Sequence, residues 1–165
     1  MSKSETFWAP MDRLTLSITL VAAGMCMGLP IYFYKKFPNP TALSLALCIF
    51  PIVVFLLVSL FAIKSYHLED GVLRIKRTLW STRLPLQPLE SVALVPGAMA
   101  KSWRLWGIGG MFGWIGWFRN KPLGNYRAWV TDRNQTVVFI SGGKTYVVSP
   151  MDPEKFVRAL EALKT

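Results

Sequence analysis

Hydrophobic and polar positions follow two regimes along this chain. Residues 14–34 and 42–63 are apolar runs of 21 and 22 residues without one charged side chain. From residue 65 onward, short bursts of alternating apolar and polar positions are broken by Gly, Pro, Asn and Asp. About 20 apolar residues in a helix cross the hydrocarbon core of a bilayer. The pattern predicts an N-terminal segment 1–13, a first span 14–34, a connector 35–41, a second span 42–63 and a folded domain 64–165. A signal peptide has a shorter apolar region, about 7–15 residues, and ends in a small-residue cleavage site. The only small-residue run here, Ala22-Ala23-Gly24, sits in mid-span. Met25 before Cys26 likewise disfavours a lipoprotein.

In the domain, Asp70-Gly71 between β-type runs is a hairpin cue. It places Leu73 and Ile75 on one face, Arg74 and Lys76 on the other. Further strands are predicted over 78–84, 91–95, 126–131, 136–141 and 144–149. Pro85 ends the third, and 132–135 and Gly142-Gly143 serve as hairpin turns. A closing helix is expected from an Asp152 N-cap, Pro153 in the first turn and Glu154 near the positive end. Its apolar stripe is Phe156, Val157, Leu160 and Leu163. The expected fold is α+β: a two-helix hairpin, then an antiparallel β-roll of about seven strands with one C-terminal helix.

Charge adds sidedness. Residues 1–63 carry four basic and two acidic side chains, residues 64–165 fifteen and seven. Lys3, Arg13, Lys64, Arg74, Lys76 and Arg77 flank the spans on the terminal side, against Lys35 and Lys36 in the connector. Cations near span ends favour the cytoplasmic side. Both termini are therefore expected in the cytoplasm, with the protein multi-pass in the cell (inner) membrane. Phe7, Trp8, Tyr32, Phe33, Tyr34 and Phe37 stand where interfacial anchors would.

Within the spans, Gly24 and Gly28 form a G-x-x-x-G pair, and Ser44 and Cys48 offer small residues at the same spacing. They predict close packing of the two helices, with a homo-oligomer through the same face as the alternative. Met25, Cys26, Met27 and Cys48 are soft metal donors, but no histidine or second thiol pair supports a site. They read as packing residues. No ionisable side chain lies in either span, which argues against a stand-alone transporter.

The run from residue 66 to 160 resembles the bacterial pleckstrin-homology-like (PH-like) domains of small membrane proteins. The resemblance rests on Tyr66-His67-Leu68-Glu69-Asp70-Gly71, on Pro85-Leu86-Gln87-Pro88-Leu89-Glu90 and on Gly107-Ile108-Gly109-Gly110-Met111-Phe112-Gly113. It extends to Ser149-Pro150-Met151-Asp152-Pro153. It implies a PH-like barrel; it does not imply a reaction.

Residues 101–120 hold four of the seven tryptophans, Trp103, Trp106, Trp114 and Trp117, with five glycines and flanking Arg104, Arg119 and Lys121. Tryptophan suits the headgroup level, and arginine can reach lipid phosphates. Three readings stay open: a loop dipping into the inner leaflet, a glycine-rich strand pair with aromatics in the barrel core, or a patch for a protein partner. Arg74, Lys76, Arg77 and Arg83 form a basic face, for anionic lipid headgroups or simply for solvation and topology.

Signals for chemistry are weak. Gly143-Lys144-Thr145 lacks the earlier glycine of a phosphate loop, since position 138 is Val. The Asn134-Gln135-Thr136 sequon lies on the predicted cytoplasmic side. His67 is the single histidine, no cysteine lies in the domain, and nothing places His67 near Ser141 or Ser149. No catalytic residue, metal site or cofactor is therefore predicted. A pI of about 10 fits nucleic acid, but membrane-proximal topology accounts for much of the charge, so nucleic acid is not expected as a partner. The expected role is a non-enzymatic, membrane-anchored binding or scaffolding module, with the accessory subunit of an envelope complex as one form of it and a protein partner the sequence does not name. The alternative is contact with anionic membrane lipids, and an uncharacterised enzyme comes third.

Overall fold

The computed structural model describes residues 4–36 and 41–164. Lys3, Phe37 and most of the connector, which entered the sidedness and anchor expectations, lie outside them. Two apolar helices stand beside a β-sandwich. Helix α1 spans Arg13–Lys36 and α2 spans Ala42–Ser59, about 36 and 27 Å long at 1.5 Å per residue. Their mean hydropathies are 1.9 and 2.7, and both are long and apolar enough to cross a membrane. Pro30 and Pro51 lie inside helices that continue past them. The second helix stops before the predicted end. Leu60 donates back to Leu57 in a closing turn, and Ile63 already opens a strand, buried in the core.

The burial of these helices is inverted relative to a soluble core helix. No residue of α2 is buried, and the only buried residues of α1 are its threonines Thr15 and Thr19. Gly24 and Gly28 do not serve close helix packing. A Cβ built on either meets nothing within 4 Å, so Cys48 does not approach Gly28. Ser44 and Cys48 instead line an open apolar cleft of about 670 Å³ between the helices.

A four-stranded sheet runs in the order β1-β2-β3-β4, with β1 at Glu5–Trp8, β2 at Ile63–Glu69, β3 at Val72–Arg77 and β4 at Ser81–Pro85. The first strand was not anticipated. It precedes α1, pairs antiparallel with β2, and sends Phe7 into the core against Phe156, ring centroids 5.0 Å apart. Phe7 is therefore a core residue and not an interfacial anchor.

The second sheet has six strands in the order β5-β9-β10-β8-β7-β6. They are β5 Leu89–Leu94, β6 Trp103–Gly109, β7 Trp114–Asn120, β8 Gly124–Val130, β9 Val137–Ser141 and β10 Lys144–Val148. The turns at Asp70-Gly71 and Gly142-Gly143 are hairpins, with φ of 49°, 71°, 56° and 67°, which match the twist of the flanking strands. The connector 132–135 is not a hairpin turn. Strand β10 inserts between β8 and β9 and pairs parallel with β8. The connector therefore steps over one strand.

The main core lies between the sheets, where Tyr66, Leu73, Ile75, Trp129, Val137 and Phe139 meet α3 (Pro153–Glu161) through Phe156 and Leu160. Asp152 precedes α3 but makes no side-chain cap bond. A smaller core on the outer side of the six-stranded sheet packs Met99, Phe118, Tyr126, Ala128 and Val130.

Candidate functional site

Residues 101–120 form the β6–β7 hairpin, so the strand-pair expectation holds for the backbone. Of its aromatics only Phe118 lies in a core, the smaller one, and the tryptophans do not. Trp103 is 80% exposed and Trp106 78%, with Leu105 and Trp117 also exposed. Only Trp114 is half-buried, packed near Phe118 at 6.4 Å. Among the described residues β6 pairs on one side only, with β7.

The turn of this hairpin rests on the two apolar helices. Phe112 N donates to Thr19 Oγ1 at 3.0 Å, and the Phe112 ring lies 5.2 Å from that of Phe55 on α2. Gly110 faces Ile18 so closely that a Cβ would lie 3.1 Å from Ile18 Cδ1. Polar Thr19 is buried because it meets this turn, and its own hydroxyl donates to Thr15 O at 2.8 Å. The contact lies within the first two turns of α1 and the last two of α2.

Asp12 fixes where α1 begins. It is 6% exposed. Its Oδ1 accepts from Thr15 N at 2.6 Å, its Oδ2 accepts from Arg133 N at 3.2 Å, and its own N donates to Thr131 O at 3.1 Å. Burial pushes its carboxyl up, but the Thr15 and Arg133 hydrogen bonds and the Arg133 charge outweigh this and lower its pKa. Sequence reading passed over Asp12, although an Asp three residues before a Thr at a helix start is a cap signal.

The basic face divides. Arg74, Lys76 and Arg83 share the outer face of the four-stranded sheet with His67. Arg74 lies opposite both His67 and Arg83, and 3.4 Å from Glu69. Arg77 belongs to the other side. Its guanidinium sits over the Phe61 and Trp80 rings at 5.8 and 5.6 Å, while those rings pack edge to face at 4.9 Å. Burial lowers its pKa, and so does the charge of Arg127, which stacks over Trp129 at 4.6 Å and Trp117 at 5.6 Å. Two guanidiniums in aromatic surroundings thus stand near the end of α2.

His67 does meet a serine. Ser65 Oγ lies 2.9 Å from Nε2, and Thr6 Oγ1 lies 2.9 Å from Nδ1. Ser65 is buried, Thr6 is exposed, and both ring nitrogens are occupied by hydroxyls, so this arrangement braces β1 against β2. Ser149 Oγ instead serves the backbone, accepting from Thr131 N at 2.8 Å and Asp132 N at 3.1 Å. Among the described residues no group of three His, Cys, Asp or Glu could hold a metal ion.

A family model described as a bacterial PH domain matches residues 64–164. The chain belongs to the bacterial PH domain family. The match begins as the chain enters β2 and covers well over half of the sequence, leaving β1 and both apolar helices outside it. No curated protein and no solved structure matches the chain. PH domains are in general binding or scaffolding modules, and membership in this family supports that role at that level.

Proposed function

We propose that this PH domain is a non-enzymatic binding module held at the cell membrane by α1 and α2. Support for the anchor is the inversion of burial: apolar side chains face outward along both helices, while the polar Thr15 and Thr19 are covered. Water around such surfaces would be unfavourable, whereas lipid is not. The flanking cations support placement in the inner membrane with both termini cytoplasmic.

The binding surface is the free edge of β6. Exposed Trp103, Leu105 and Trp106 adjoin unpaired backbone groups of an edge strand, the geometry used when an extended segment adds a strand. Residues 91–131 contain no Asp or Glu but five cations, Lys101, Arg104, Arg119, Lys121 and Arg127. The occupant is therefore an extended, acidic segment of a protein partner.

A photo-crosslinker placed at Leu105 of the full chain in its native membrane tests this. A discrete protein adduct is expected, absent with the crosslinker at Arg83 and lost in Trp103→Ser/Trp106→Ser. An identical pattern from Arg83 would reject the edge as the docking site.

A second reading is contact with anionic lipid headgroups, favoured by Arg77 over Phe61, just past the end of α2, and by the Arg127 charge that acts on it. A phosphate there would relieve the repulsion between two guanidiniums. A crosslinked phospholipid at Trp80 in the same experiment would support it.

A further inference from the structure

A second, separate cavity lies on the outer side of the six-stranded sheet. Its volume is about 380 Å³, and Lys101, Arg104, Arg133, Asn134, Ser102 and Trp114 are among its lining residues. No carboxylate lines it. Ligand pockets begin at about 300 Å³, so the space suits a small ligand or a headgroup.

Two of its three cations are held by neighbouring groups. Arg133 stacks over the Trp114 ring at 4.6 Å, and its Nε lies 3.8 Å from Asp12 Oδ2. Arg104 folds back over Gly109, where a Cβ would lie 3.2 Å from Arg104 Nη1 and 3.3 Å from the Trp114 ring. The absent side chain at Gly109 leaves room for that guanidinium. Asp12 offsets only one of three positive charges, and it is engaged by Thr15 and Arg133. Arg133 Nε and Trp114 Nε1 are buried and make no hydrogen bond. Buried donors are rarely left without acceptors.

We infer that this cavity binds the phosphate group of a small phosphate ester, with Lys101, Arg104 and Arg133 as its cationic wall. Planar guanidiniums grip phosphate oxygens in pairs, and a stacked arginine loses little freedom on binding. The cavity adjoins the start of α1 through Asp12 and the helix-resting turn through Trp114. That placement favours a glycerophosphate headgroup presented by a lipid over a soluble ester. Lys101 and Arg104 also add to the charge of the β6 edge, but Trp103 and Trp106 take no part in the cavity, so the Trp103→Ser/Trp106→Ser variant separates the two readings.

Calorimetric titration of the detergent-purified full chain at low salt tests it. The probes are glycerol 3-phosphate, dihexanoyl-phosphatidylglycerol and, as a zwitterionic control, dihexanoyl-phosphatidylcholine. Saturable binding is expected for the anionic lipid, weakened at least tenfold in Lys101→Gln/Arg104→Gln. The double variant Lys76→Gln/Arg83→Gln, which removes equal charge from the other sheet, should bind within twofold of the parent. All four side chains are exposed or peripheral, and melting curves check that both variants fold. Equal binding of glycerol 3-phosphate supports the site with a soluble ester as its ligand. No saturable binding of either anionic probe, or equal weakening in both double variants, would overturn it.

Discussion

His67 shows how the setting of one side chain reaches stability. Burial lowers its pKa, as do the charges of Lys76 and Arg74, against the opposing pull of Glu69. The unfolded chain therefore takes up a proton more readily than the folded one. The contribution is fully present above the unfolded value of about 6.5 and is lost as pH falls through the lower folded value. Melting of the purified protein should shift downward between pH 7.5 and 5.5, and His67→Gln should flatten that slope. An unchanged slope would remove His67 from the acid response. Single-residue roles were the least legible part of the sequence. The alternation of Leu73 and Ile75 against Arg74 and Lys76 was readable because period two is local. The Asp12–Arg133 and Thr6–His67 contacts were not, since their partners come from distant segments, whereas the Asp12–Thr15 cap and the Ser65–His67 pair are local and were passed over. Arg77 was placed on the wrong face because composition groups it with its neighbours, while its odd position in the strand turns it inward.

Among the elements, the β6–β7 hairpin depends on two glycines facing each other. Gly107 and Gly116 are cross-strand partners with φ of 118° and 138°. A Cβ on Gly107 would overlap the carbonyl oxygen of Ile115, and one on Gly116 that of Trp106. Gly107→Ala should therefore destabilise the domain by at least about 2 kcal/mol, from backbone strain and steric overlap together. Gly142→Ala, in a turn with open space around it, should cost about 1 kcal/mol. Denaturant unfolding of the two variants checks the order, and a milder effect at position 107 would contradict the close approach. These same glycines left β6 and β7 as one of three readings of residues 101–120, since glycine carries no β-strand preference. The β9–β10 hairpin was legible because Gly142-Gly143 is itself the turn. The connector 132–135 looked equally turn-like, but strand order is decided by side-chain packing across the sheet, not by loop length.

For the whole molecule, the placement of β1 constrains topology. Glu5–Trp8 pairs with the strand that follows α2, so the chain must leave and return to one side of whatever the helices enter. In a background of Cys26→Ala and Cys48→Ala, Ser4→Cys and Lys164→Cys should react alike with a membrane-impermeant maleimide. Both should be protected in intact cells and labelled after permeabilisation. Opposite reactivity would break the β1–β2 pairing. Hydrophobic length made the two helices the most legible feature of the chain. The short β1 carried no signal, because four residues without a turn give no periodicity to read and their partner lies beyond both helices.

That arrangement also sets an order of events during synthesis. The first strand leaves the ribosome long before its neighbour exists, and Phe7 has no cover until then. On the proposed placement of both helices in a bilayer, sheet completion has to wait until two hydrophobic segments have been threaded and the polypeptide has doubled back. A chain that inserted only one of them would hold its leading residues across the bilayer from β2, and Phe156 would lack the Phe7 ring that packs on it.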